Sequence, residues 1–240
     1  MRALSAIRIT LIAACGALLL ATSLPETASA AGGCGGGSAR GGGGGASSSS
    51  EGRQSSAQEK ADKKYAAGLK KRDYAWKHER KAAETDSEKK RAKSLAKAEK
   101  DWHSAIEYYR EAIELDSKHY EAHASLGYAL RQLGQWDESV ASYNRSLEIR
   151  PSYAQAIEYR AEAYLELGKL RDVRRSYMHL KRSEPEYAQQ LLDAMVTWLA
   201  DGRAEAADVK PSTLERFAAW VEERSQLTQQ QGDVSSNKQW

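Results

Sequence analysis

Between Asp86 and Tyr187 the sequence repeats itself with a period of 34 residues, and this repeat constrains the fold more than any other feature. Three segments align without gaps, and they are residues 86–119, 120–153 and 154–187. Equivalent positions hold the same kind of side chain, as in the aromatic set Tyr109, Tyr143 and Tyr177. A fixed period of this length is typical of stacked supersecondary units that bury their apolar faces against one another.

The spacing inside one unit predicts two antiparallel helices joined by a short turn. In the middle unit, Gly134 is expected to end the first helix, because glycine tolerates the left-handed backbone of many helix ends. Asp137 and Glu138 follow, where the dipole at the start of a helix favours negative charge. Pro151 has no amide hydrogen and is expected to end the second helix. The small residue Gly127 predicts a close approach between the two backbones.

These units resemble the tetratricopeptide repeat family. The middle unit carries the pattern in seven residues, which are Leu126, Gly127, Leu130, Ser139, Tyr143, Ser146 and Pro151. The third unit carries it in Tyr164, Gly168, Tyr177 and Pro185, but has Arg160 and Ala161 where the family has Leu-Gly. In the first unit only residues 101–116 match, and the part before them can also be read as an extension of the charged segment that precedes it. The resemblance implies an all-α fold, a right-handed solenoid of helical hairpins.

The chain after the repeats is expected to form two further segments, a helical cap and a tail. After Tyr187 the period stops, and residues 188–227 predict a helical cap, which solenoids need on their last repeat. Ser212 and Glu215 have the spacing of a capping box at the start of its second helix. Residues 228–240 are polar and predict a disordered tail.

The first 30 residues predict a cleaved secretory signal. Arg2 and Arg8 precede an apolar run that begins at Ile9, and residues 28–30 offer a small-residue cleavage site. An uncleaved anchor is the alternative. The expected location is therefore outside the cytoplasm, in the periplasm or cell envelope.

The two cysteines bear on whether an exported chain would be crosslinked or attached to a membrane. Cys15 would leave with the signal, and Cys34 would then have no partner for an intramolecular disulfide. A lone exported cysteine suggests a free thiol, an intermolecular bridge or a lipid attachment point. The residues before each cysteine match a lipid-attachment motif incompletely, so soluble export is favoured over lipid anchoring.

Two segments separate the signal from the repeats. Residues 31–57 are rich in glycine and serine and predict a disordered tether. Residues 58–85 predict a basic helical segment, and across residues 58–97 basic residues outnumber acidic ones two to one. Tyr65, Leu69 and Trp76 form a thin apolar stripe along it. The segment is either an ordinary solvated face or a surface for anionic lipid, polysaccharide or an acidic protein.

No catalytic, cofactor or metal motif is evident. His119 and His123 lie four residues apart without a third ligand, which favours ordinary surface histidines. Glu158 and Glu162 share one helix face and are better explained as a charged exterior or groove than as an acid–base pair. The chain is therefore predicted to be non-enzymatic, without cofactor or metal. Its net charge of +3 is too balanced to suggest nucleic-acid binding.

The resemblance places a partner site on the first helix of each pair. It implies nine groove residues, which are Glu121, Ala124, Tyr128, Arg131, Gln132, Gln155, Glu158, Glu162 and Leu165. In the first unit the equivalent residues lie within 87–98. Ala124 and Tyr128 stand where the chaperone-tail-binding subgroup has clamp residues, so no carboxylate clamp is expected. Tyr128 and Arg131 are the preferred anchors for an extended or helical peptide. The alternative is that this face is only solvated and binds no partner.

These expectations describe an exported bacterial member of the family. Its predicted function is protein–protein interaction or scaffolding in the cell envelope, with another protein or peptide as partner. The alternative function is binding to an anionic lipid or polysaccharide surface through residues 58–97. The sequence does not indicate the partner, the process or the oligomeric state.

Overall fold

The structure, a computed structural model, describes the backbone of residues 48–236 and the side chains of residues 56–230. Within that range the chain forms eight α helices and no strand, in the order α1 Ser48–Ala83, α2 Glu88–Leu115, α3 Tyr120–Gln132, α4 Trp136–Ile149, α5 Ala154–Glu166, α6 Leu170–Ser183, α7 Pro185–Ala200 and α8 Pro211–Ser236. A short 3-10 turn, Arg203–Glu205, lies between α7 and α8. The predicted signal, the tether up to residue 47 and residues 237–240 lie outside the described residues. None of the described helices is both long and apolar enough to cross a bilayer.

The helices stack as successive hairpins, which confirms the predicted all-α solenoid. α3 packs on α4, α5 on α6, and each hairpin also contacts the next one along the chain. Gly134 and Gly168 have φ values of +73° and +65° at the turns, as the sequence predicts. A Cβ atom on Gly127 would lie 2.9 Å from the ring of Tyr143, so only glycine allows this approach of α3 to α4. Ser139 Oγ donates a hydrogen bond to the Gly127 carbonyl at 2.7 Å.

The first predicted unit differs from this pattern. Residues 88–115 form one continuous helix, so residues 86–119 do not fold as a hairpin of their own. No glycine or proline interrupts this stretch to make a turn. α2 pairs with α1 instead, along a row of small buried residues spaced seven apart, which are Ala61, Gly68, Ala75 and Ala82 in α1 and Ala98, Ala105 and Ala112 in α2. A seven-residue repeat keeps one helix face turned toward its partner, and small side chains let two backbones approach.

α1 takes the place of the missing first helix. A Cβ atom on Gly68 would lie 2.5 Å from Tyr109 Cε1, which repeats the relation between Gly127 and Tyr143 one hairpin later. The hydroxyls of Tyr65 and Ser125 lie 3.3 Å apart and join α1 to α3. The first repeat therefore consists of α1 up to residue 77 and the second half of α2. The rest of the α1–α2 hairpin, residues 78–97, extends beyond the repeats, and we call it the hairpin tip.

The C-terminal helices cover the last repeat. Trp198 of α7 lies edge-on to Phe217 of α8, with ring centroids 6.3 Å apart, and both side chains are buried. Trp220 of α8 meets Tyr177 of α6 at 5.3 Å. α7 and α8 thus shield the apolar end of the solenoid from water.

Two segment boundaries differ from the sequence-based expectation. α1 begins at Ser48, within the predicted tether 31–57, and α8 continues to Ser236, within the predicted tail 228–240. Neither extension contains a proline, and each continues a helix that is already nucleated, so adding further turns costs little.

Candidate functional site

The first helices of successive hairpins form one continuous surface, which we call the inner face. α5 packs beside both α3 and α7, and α1 reaches α3 through side chains. In the repeat family that the sequence resembles, this is the surface expected to line the partner groove. The nine predicted groove residues lie on α3 and α5, which are two of these first helices.

Three aromatic side chains connect α1, α3 and α5 across this face, and we call Trp76, Tyr128 and Tyr159 the aromatic row. Trp76 lies edge-on to Tyr128 with ring centroids 6.0 Å apart, and Tyr128 lies 5.1 Å from Tyr159. Trp76 Nε1 donates a hydrogen bond to the Tyr128 hydroxyl at 3.3 Å. Trp76 is 37% exposed, which makes it the open end of the row, whereas Tyr128 and Tyr159 are half-buried.

Arg131 is held inside this row. Its guanidinium lies 5.1 Å from the Tyr128 ring centre and 5.2 Å from that of Tyr159, within cation–π range. The same guanidinium forms an ion pair with Glu162. Tyr128 and Arg131, the two anchors predicted from the sequence, do lie together. Intramolecular contacts already occupy much of their surface, so they position the row more than they offer a free side chain.

Glu158 is not the charged surface residue that the sequence suggested. It is 2% exposed, and its Oε2 has no hydrogen-bond partner. Burial raises the pKa of its carboxyl to about 8, and the nearby Arg131 opposes this only in part. The carboxyl is therefore mainly protonated at neutral pH, because no close partner offsets the cost of burying its charge.

The other predicted groove residues divide between core and surface. Ala124 and Leu165 are 5% and 2% exposed and pack in the core, so they present no surface to a partner. Gln155 accepts a hydrogen bond from the Tyr153 hydroxyl at 2.7 Å. Glu121, Gln132 and Gln155 are half-buried. Of the residues expected within 87–98, Ala98 is buried against α1 and the others lie on the hairpin tip, because α1 replaces them as the first helix.

His119 and His123 are both 8% exposed, so their prediction as surface histidines is wrong. The Nδ1 atom of His119 accepts a hydrogen bond from the Ala122 amide at 3.3 Å, at the start of α3. The imidazole of His123 lies 3.1 Å from the Ser117 carbonyl. Both rings are used to close the turn between α2 and α3. Among the described residues, no three His, Cys, Asp or Glu side chains are grouped as metal ligands would be.

Trp76 and Tyr159 are the two residues of the aromatic row that the sequence did not assign to the groove. The signal for Trp76 was present, because it belongs to the apolar stripe of the basic segment. That stripe was not connected to the repeats, since the 34-residue period begins only after it.

Comparison with protein families agrees with this geometry. Family models described as tetratricopeptide repeats match residues 94–119 and 108–141, and one described as a TPR repeat matches residues 127–168. No curated protein matches the chain. The matched stretches run from α2 through α5, where the hairpins stack and where Tyr128 and Tyr159 of the aromatic row lie, whereas Trp76 of α1 precedes them. The chain therefore contains tetratricopeptide repeats within residues 94–168.

Proposed function

We propose that the protein is a non-enzymatic interaction or scaffold protein of the cell envelope, and that its inner face binds an extended or helical peptide of another protein. Tetratricopeptide repeats in general bind proteins or peptides. The observation that carries the proposal is Trp76, a large aromatic side chain left 37% exposed at the end of the aromatic row.

The surroundings of Trp76 suit it to anchor a partner. Arg72 lies 4.4 Å from the Trp76 ring centre, and the Tyr128 hydroxyl accepts a hydrogen bond from the indole nitrogen. A rigid aromatic side chain loses little conformational entropy on binding, and Trp and Arg are enriched among the residues that dominate binding energy. An apolar side chain of the partner would pack on the indole beside Arg72.

The cell-envelope location is part of this proposal. It rests on Arg2 and Arg8, the apolar run that begins at Ile9, and the small residues 28–30. A soluble exported form remains favoured over a lipid-anchored one, for which Cys15 or Cys34 would be the attachment point.

Replacing Trp76 with alanine is expected to weaken partner binding by 1–3 kcal/mol, which is about 5-fold to 150-fold in Kd. The experiment is a crosslinking pull-down from the native envelope that identifies the partner, followed by titration of that partner with each variant. Tyr74→Ala is the matched control, because Tyr74 is a 41% exposed aromatic residue of the same helix. The control should bind as tightly as the wild type.

Equal binding by the wild type and Trp76→Ala would contradict the inner face as the site. Binding that falls steeply with added salt and is insensitive to Trp76→Ala would instead favour the alternative function, a basic surface within residues 58–97.

A further inference from the structure

The hairpin tip carries a concavity lined almost entirely by basic and hydroxyl side chains. His78 and Lys81 of α1 and Thr85 of the turn line one side. The other side belongs to α2 and is lined by Lys90, Lys93, Ser94 and Lys97. The space between them is about 370 Å³, large enough for a small anionic group.

The four lysines of this concavity have no carboxylate partner. Among the described side chains, none of Lys81, Lys90, Lys93 and Lys97 has an acidic group within 4.0 Å, and no Asp or Glu lines the concavity. Of the lining residues, His78 alone lies near a carboxylate, with Asp101 at 3.6 Å. Closer to the repeats Lys64 contacts Glu111 and Lys71 contacts Asp101, although Lys60, Lys63 and Lys70 are unpaired there as well among the described residues. The tip differs from the rest of the hairpin because its four unpaired lysines line one concavity.

This arrangement opposes the pairing of the two helices at the tip. Like charges that face each other across neighbouring helices repel. A carboxylate among the lining residues of α1 or of α2 would instead stabilise the hairpin. Repulsion among these lysines would be relieved by an anion bound between them. Ammonium groups bind phosphate as point charges, and the hydroxyls of Thr85 and Ser94 can donate hydrogen bonds to its oxygens.

We propose that the hairpin tip is a binding site for a phosphate group that carries two or more negative charges. The site is separate from the inner face and does not depend on the function proposed for it. No large apolar side chain lines the concavity, so recognition is electrostatic. A phosphorylated small molecule and the headgroup of a phosphomonoester lipid share this chemistry.

Two probes distinguish these sources. Pyrophosphate is titrated into the protein by calorimetry, and vesicles of phosphatidylcholine with and without phosphatidic acid are tested by co-sedimentation. Both are done at about 50 mM NaCl, where screening is weak. The test variant replaces Lys81, Lys90, Lys93 and Lys97 with glutamine. The control variant replaces Lys60, Lys63, Lys70 and Lys118 with glutamine. These four lysines are also exposed and unpaired in the described structure, and replacing them removes the same amount of charge.

The wild type is expected to bind at least one probe, the test variant to bind it about 10-fold or more weakly, and the control to stay within about 2-fold of the wild type. Binding to pyrophosphate alone assigns the site to a soluble phosphate compound. Binding to phosphatidic acid vesicles alone assigns it to a lipid headgroup. Binding to both supports the site through the shared chemistry. Circular dichroism of the variants checks that helix content is unchanged.

Two results would overturn the proposal. If both variants lose binding equally, the interaction follows total charge and the concavity has no special role. If the wild type binds neither probe, the tip is not a phosphate site.

Discussion

Replacing Gly68 with alanine is expected to destabilise the protein by about 1–3 kcal/mol, although alanine is the better helix former. The added Cβ would lie 2.5 Å from Tyr109 Cε1. Tyr109 is fully buried between the helices of the first repeat, so its ring has no free space to move into. The expected result is a lower free energy of unfolding in urea, with far-ultraviolet circular dichroism as the signal.

The same substitution in a variant that lacks the Tyr109 ring tests whether this contact is the cause. In a Tyr109→Leu variant the ring is absent, and Gly68→Ala should then stabilise the helix by up to about 1 kcal/mol. The change of sign between the two backgrounds would identify the close approach of α1 to α2 as the cause. An equal loss in both backgrounds would show that the contact between Gly68 and Tyr109 is not what requires glycine.

The wild type is expected to lose stability as the pH rises from about 4.5 to about 8, and Glu158→Gln should remove most of that loss. Burial raises the pKa of Glu158 from 4.5 to about 8. Above pH 4.5 the unfolded chain releases this proton while the folded protein keeps it, so rising pH favours unfolding. The stabilisation is complete below about pH 4.5 and is lost by about pH 8. The effect is on the order of a few kcal/mol.

Urea unfolding at several pH values between about 4.5 and 8 tests this expectation, over the window where the two states differ in bound protons. Glu114→Gln is the control, because Glu114 is an exposed carboxylate of α2, and it should leave the pH dependence unchanged. Part of the slope should remain in Glu158→Gln, since burial also raises the pKa of Glu79 and of Glu166, which acts in the same direction. A wild-type stability that rises over this range would contradict the burial of a protonated Glu158.

Local sequence rules were sufficient to predict where the helices from α3 to α6 end. Gly134, Gly168 and Pro151 act through their own backbone, so their positions predict where helices end whatever surrounds them. The same rules failed for α2, because its pairing depends on small residues of α1 that precede the 34-residue period. The seven-residue spacing of Ala61 and Gly68 was visible in the sequence, but it lay within a segment dominated by charge.

The candidate site was predicted only in part for a related reason. The repeat pattern identifies which helix faces inward, and so it placed Tyr128 and Arg131 on one face. It cannot give the depth of burial, which depends on the neighbouring helices. Glu158 and Leu165 are consequently covered, and the exposed position belongs to Trp76, which lies in α1 outside the recognised repeats.

The most direct test of the inner face as the binding site is site-specific photo-crosslinking in the native envelope. A photoreactive amino acid is introduced at Arg72, beside Trp76 on the inner face, or at Arg145, an exposed position on α4. We expect one partner protein to be captured from Arg72 and not from Arg145, and Trp76→Ala to abolish the capture. Capture of that partner from Arg145 alone would show that the inner face is not the binding site.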